Sequence, residues 1–209
     1  MNRVVYLHGF ASGPSSRKAQ YFRDLLSAEG FDVEIPDLAE GRFEELTITA
    51  QLNVITRVCR SEPVVLIGSS LGGYLAALYG ARHPEVEKVV LLAPAFSFAR
   101  HWEETMGEEK LEEWRRNGHL RLFHYGDKAM RNLGWQFIRD ARQYEEAPSF
   151  SQPGLIFHGS ADPVVPVAFS KRFAETHANV QLRVLQSGHE LTDVLETMGE
   201  ETLKFLKSK

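Results

Sequence analysis

The chain has 209 residues, 43% of them hydrophobic and 25% charged, with a formal net charge of −4. That length suffices for one domain with a large core, and the mild acidity offers no general attraction to nucleic acid or anionic membrane. No apolar run reaches the length of a membrane span, and a single cysteine, Cys59, excludes an internal disulfide.

Residues 3–7 (RVVYL) read as a first strand, followed by the loop His8-Gly9-Phe10-Ala11-Ser12-Gly13. The apolar run at this N-terminus is too short for a signal peptide, so the cytoplasm is the expected location. Residues 15–29 place Ala19, Phe22, Leu25 and Leu26 on one helical face, with Ser15 or Ser16 as cap. A strand follows at 32–35 (DVEI), then a helix over 44–60 repeating Ile48, Leu52 and Ile55. Cys59 lies in that apolar pattern and is expected to be a buried small hydrophobe. Residues 63–67 (PVVLI) form the next strand, and 70–82 a helix repeating Leu71, Leu75, Leu78 and Tyr79. Strands at 88–92, 154–158 and 180–185 and helices at 167–177 and 191–206 complete the series.

Most of these strands are continuously apolar, as strands covered on both faces are. The predicted fold class is α/β, a six-stranded, mainly parallel sheet with helices on both faces. The link from 88–92 to 154–158 takes roughly sixty residues, far more than one crossover needs. The stretch of about 96–150 is therefore read as a helical cap or lid inserted into one domain spanning 1–209. Within it, helices are predicted over about 108–117 and 127–146. The second opens at Asp127 and presents Met130, Leu133, Phe137, Ala141 and Tyr144 on one face. Its neighbour, the glutamate-rich stretch 103–113, reads as a solvated helix face.

In a parallel sheet, ligands meet the ends where strands finish. The strand at 63–67 finishes in Gly68-Ser69-Ser70-Leu71-Gly72. This stretch lacks the lysine of a Walker A loop and the Gly-x-Gly-x-x-Gly spacing of a dinucleotide fold. It does fit Gly-x-Ser-x-Gly, in which small residues let a strand turn sharply into a helix and leave the serine at the apex. Ser70 takes that place, and the Leu71 amide at the helix N-terminus can donate to an oxyanion. A serine hydroxyl needs a base, and the base a carboxylate. Asp162 follows the next-to-last strand and His189 the last, which puts Ser, Asp and His in the chain order this arrangement requires.

"YLHGF", "IGSSLGGY", "HGSADPVVP" and "SGHE" resemble the oxyanion loop, nucleophile elbow, acid loop and histidine loop of the α/β-hydrolase superfamily. More narrowly, "YLHGFASGPSSRKA" with "GSSLGGYLA" resembles the YqiA/YcfP-like small bacterial esterases, and the resemblance covers nearly the whole chain. It implies carboxylic-ester hydrolysis by Ser70, Asp162 and His189 without cofactor or metal. The oxyanion donors implied are the amides of Phe10 and Leu71. The implied partner is a small-molecule ester or thioester. The same residues would serve a thioesterase, an amidase or a carbon–carbon bond hydrolase, and a non-catalytic binding protein could keep the fold. Nothing in the pattern fixes an oligomeric state.

Other residues compete for roles. His8 precedes the nucleophile and is expected to order the oxyanion loop beside the substrate pocket. His158 and His83 are expected to be structural, and His101, His119 and His124 to be exposed on the insertion. Asp193, read as lying on the final helix, competes with Asp162 for the acid role. "HELTD" at 189–193 is half a zinc motif and lacks the second histidine. Phe96, Phe98, Trp102 and Trp114 either line an acyl pocket or hold the insertion onto the body.

Overall fold

The computed structural model describes residues 3–208. Its strands are β1 (Arg3–Leu7), β2 (Asp32–Glu34), β3 (Val64–Ser69), β4 (Val86–Leu92), β5 (His119–His124), β6 (Ala129–Gly134), β7 (Gly154–Gly159) and β8 (Val180–Leu185). Its helices are α1 (Arg17–Ala28), α2 (Ile48–Cys59), α3 (Leu71–Gly80), α4 (Phe98–Met106), α5 (Glu108–Asn117), α6 (Gln136–Ala141), α7 (Val167–Thr176) and α8 (Leu195–Lys207). Six strands make one sheet in the order β2-β1-β3-β4-β7-β8, and every neighbouring pair in it is parallel.

The continuous apolar runs are buried from both sides, and the alternation of the pleat sorts them. Val5, Leu7, Leu66, Val89, Leu91 and Ile156 face a core shared with α2, α3 and α7. Val4, Tyr6, Val65, Ile67, Val90 and Phe157 face the opposite core, built with α1 and α8. Cys59 is fully buried in the first of these. Register pairs Leu7 with Gly68, Gly68 with Leu91, and Gly159 with Leu185. The loops after β1, β3, β7 and β8 therefore leave the sheet at one edge. No helix of the described residues is long and apolar enough to cross a membrane.

Helix boundaries follow local chemistry. Thr47 caps α2 by accepting from the Ala50 amide at 2.9 Å, and a short 3-10 turn at Phe43–Glu45 precedes it. Ser16 stands at the N-cap position of α1 without a side-chain cap bond. The last helix starts later than expected, at Leu195, because 191–194 form an irregular turn in which Leu191 has φ +54°. Asp193 lies in that turn and not on the helix.

The segment between β4 and β7 corrects the expectation of a purely helical insertion. The helix α5 matches, and α4 adds a helix before it. Residues 127–146 are not one helix. β5 and β6 pair antiparallel through a turn in which Lys128 has φ +53°, and only Gln136–Ala141 are helical after them. The spacing of Met130, Leu133 and Phe137 imitates a helix, but Met130 is 46% exposed and Leu133 and Phe137 belong to different elements. Asp127 caps no helix; its carboxylate holds Arg131 at 2.7 Å.

Aromatic packing fixes this segment to the sheet. Trp114 is buried against Trp102 and Trp135, and its indole N–H donates to Leu133 O at 3.0 Å, joining α5 to the hairpin. Phe10, from the loop after β1, meets Phe43, Phe98, Trp102 and Phe137 at centroid distances of 5.7, 6.5, 5.3 and 5.4 Å. Trp114→Ala is expected to cost about 3–5 kcal/mol in chemical denaturation. Trp114→Phe should recover part of that, because it restores apolar volume but not the donor.

Candidate active site

The link from β3 to α3 leaves no room for side chains. A Cβ on Gly72 would collide with the carbonyls of Leu7 and His8, and one on Gly68 would collide with the Gly72 carbonyl. Helix and strand are thereby pressed together, and Ser70 between them takes φ +53°, ψ −117°, a conformation L residues rarely adopt. Its amide donates to Leu92 O at 2.8 Å, and its carbonyl accepts from the Ala95 amide at 3.0 Å. The backbone of Ser70 is thus tied to the end of β4 while its side chain points free of the sheet.

The hydroxyl of Ser70 lies 3.0 Å from His189 Nε2, and His189 Nδ1 lies 2.8 Å from Asp162 Oδ2. The carboxylate can only accept, so Nδ1 carries the proton and Nε2 is free to accept from Ser70. The Asp162 side chain is completely buried. Its Oδ1 accepts from the amides of Val164 and Val165, each at 2.8 Å. Its Oδ2 also lies 3.2 Å from His158 Nε2. Burial alone would raise the carboxyl pKa, but hydrogen bonds from His158, His189 and the Val165 amide hold it well below the usual carboxylate range.

His158 is fully buried. Its Nε2 faces Val165 O at 2.9 Å as well as Asp162, and its Nδ1 meets the Ser170 hydroxyl at 2.8 Å. Two acceptors face Nε2, so that nitrogen is protonated and Nδ1 accepts from Ser170. Asp193, the competing carboxylate, accepts instead from the Ser187 hydroxyl at 2.5 Å. His83 stacks on Tyr79 and bonds Glu85 at 2.9 Å, well away from these groups in the fold.

The loop after β1 closes over Ser70. A Cβ on Gly9 would meet Ser70 Cβ at 3.5 Å, so its backbone lies against the serine. Among the described residues, the amides of Phe10 and Leu71 make no hydrogen bond to protein. His8 is 5% exposed and anchors this loop: Nε2 accepts from the Leu38 amide at 3.2 Å, and Nδ1–H donates to Gly9 O at 3.0 Å. It is not free to line a pocket. Burial pushes its pKa down. Ala11, at φ +50°, accepts from the Tyr125 amide at 2.7 Å, which ties the loop to the tip of the hairpin.

The remaining candidates separate. Trp102 lines a groove with Phe10, whereas Phe96 is buried in the core and stacks on Phe173 at 4.4 Å. His101 bonds Val164 O at 3.0 Å, beside the Asp162 loop. His119 is exposed, but His124, expected to be exposed, is 6% exposed; it packs edge-on against Phe43 and accepts from the Asp127 amide. Lys18 drew no attention in the sequence. Its side chain is 10% exposed, and Nζ lies 3.7 Å from Glu190, the residue after His189. Burial lowers its pKa while Glu190 opposes that shift. Apolar periodicity cannot announce a buried cation, so only its position one residue before Ala19 could have pointed to it.

Residues 3–206 match the family described as Uncharacterised protein family (UPF0227). The AB hydrolase superfamily protein YisY of Bacillus subtilis (strain 168) is 25% identical over 215 residues, covering 80% of this chain and 77% of that protein. The mouse alpha/beta hydrolase domain-containing protein 10 superposes with a TM-score of 0.83 at 18% identity, over 98% of this chain and 89% of the other. Est1E from Butyrivibrio proteoclasticus, solved with ferulic acid bound, gives a TM-score of 0.80 at 22% identity, over 100% and 90% of the two chains. The fold is that of the α/β hydrolases.

His8 and His124 share a consequence for stability. Burial lowers both pKa values, each ring accepts a backbone N–H, and protonation would break that bond. The unfolded chain binds protons at these rings below about pH 6.5 and the folded chain resists them. Stability is therefore full above that pH and is lost as the pH falls through it, by up to about 1.4 kcal/mol per pH unit for each ring. Denaturation midpoints measured from pH 7.5 to 5 should fall, and His8→Gln should flatten the slope. Asp162 adds a separate loss that begins only below about pH 4.

Proposed function

The chain belongs to the uncharacterised protein family UPF0227, and we propose that it is a serine esterase acting through an acyl-enzyme. The observation that carries this is the continuous hydrogen-bond chain Asp162–His189–Ser70, 2.8 Å and 3.0 Å at its two links. A binding protein has no use for a serine in a strained turn facing an unprotonated imidazole nitrogen.

In this mechanism Ser70 Oγ attacks the ester carbonyl carbon while His189 Nε2 takes its proton. The carbonyl electrons move onto oxygen, and the resulting oxyanion is held by the amides of Phe10 and Leu71. Each such donor lowers the barrier by roughly 3 kcal/mol in related chemistry. Collapse of the intermediate breaks the bond to the alcohol, which leaves with the proton from His189. Water, deprotonated by His189, then attacks the acyl-serine, and the acid departs as the Ser70 proton is restored. Asp162 keeps the base in the correct tautomer and stabilises the imidazolium. Because its carboxyl pKa is held far down, Asp162 stays anionic throughout. The segment of about 96–150 serves as the cap over this edge of the sheet. Acyl thioesters meet the same groups in the same order.

Ser70→Ala is expected to lower kcat on nitrophenyl esters by about 10³-fold or more while the protein stays folded by circular dichroism. Asp162→Asn, which favours the wrong imidazole tautomer, should cost about 10⁴-fold. A fluorophosphonate probe should label wild type at Ser70 and leave Ser70→Ala unlabelled. Unchanged turnover in Ser70→Ala would refute the assignment.

A further inference from the structure

A groove of about 470 Å³ starts at Phe10 and runs between α4, α5 and the β5–β6 hairpin. Its walls are apolar, chiefly Phe10, Trp102, Met106 and Leu122, and Lys110 and Arg121 stand at its rim. No carboxylate lines it. Three of the four acids of α5, Glu108, Glu109 and Glu112, border a separate cleft with Trp135 and Arg142. Four other cations of this segment are engaged, Arg100 by Glu146, Arg115 by Glu112, Arg131 by Asp127 and Arg142 by Glu103, and Arg116, Lys128 and Arg139 do not line this groove. Lys110 and Arg121 enter no ion pair among the described residues. Beside them Phe123 and Tyr125, 45% and 72% exposed, pack edge to face and extend the apolar wall into solvent.

The groove borders the reaction edge through the loop after β1: Phe10 and Ala11 line it, and the adjoining Gly9 lies against Ser70. An acyl chain leaving the Ser70 region along Phe10 would bury its methylenes against Trp102 and Leu122. It would then reach two unpaired positive charges. An uncharged chain end gains nothing there, whereas an anion gains two charge-assisted contacts.

We infer that the groove holds the acyl arm of the ester and that Lys110 and Arg121 take an anionic group at its far end. The substrate class is thus an ester of an apolar acyl chain that ends in an anion, most simply a carboxylate. This rests on the assignment of Ser70 as nucleophile.

The test pairs mono-4-nitrophenyl esters of dicarboxylic acids, in a series of chain lengths, with their methyl-capped counterparts. At low ionic strength kcat/KM for the free acid should exceed that for the capped ester by about tenfold at the fitting length. The ratio should fall towards one in high salt and in Lys110→Ala/Arg121→Ala. A ratio near one at every length, or one unchanged in the double variant, overturns the inference while leaving the esterase standing. If neither ester is turned over and Ser70 resists the fluorophosphonate, the nucleophile assignment fails instead. The groove is then judged by calorimetry on Ser70→Ala protein with monomethyl and dimethyl suberate. About tenfold tighter binding of the monomethyl ester, lost with the two cations, upholds the anion site. Equal affinities overturn it.

Discussion

A contact between two stretches of backbone governs this edge of the molecule. The first turn of α3 lies so close to the end of β1 that only hydrogen fits on the Cα of Gly72, and Gly68 is confined in the same way. This approach forces the left-handed bend at Ser70, a strain of about 1–3 kcal/mol. It persists because every residue of α3 is buried, so the helix is held from all sides. The same approach brings the loop after β1 against the serine. Glycine is required here by space and not by flexibility.

Asp162 meets a different constraint. A buried carboxylate is costly unless its lone pairs are filled; here three N–H groups donate to it and a fourth, His158 Nε2–H, shared with Val165 O, lies 3.2 Å away. Two come from its own turn, one from His189, and one from His158, itself locked by Val165 and Ser170. The acid is consequently a fixed part of the scaffold, and the imidazole is oriented against it. Asp193, nearer to His189 in sequence, is taken up by Ser187.

What the sequence made legible follows from how local each signal is. Strands buried on both faces announce themselves by unbroken apolar runs, so β1 matches its expected bounds residue for residue and β7 runs one residue longer than expected. Ser70, Asp162 and His189 could be picked out because a parallel sheet sends its loops to one edge in a fixed order. The hairpin was missed because the strand character of β6 comes from pairing with β5, while its own spacing of Met130 and Leu133 suits a helix equally well. Phe96 and Trp102 looked alike in sequence; one packs on Phe173 and the other borders a groove, a difference that only neighbours distant in the chain decide. Lys18 and the anchoring bond from His8 to Leu38 belong to the same non-local class.

The 119 positions that separate Ser70 from His189 have a consequence for biosynthesis. On the ribosome, the strained turn and its serine emerge long before the last strand that delivers the imidazole. Until β8 docks beside β7, the hydroxyl has no proton acceptor and stays as inert as any surface serine. Nascent and half-built chains therefore lack the hydrogen-bond chain from Asp162 through His189 to Ser70, which is complete only when the C-terminal third closes the sheet.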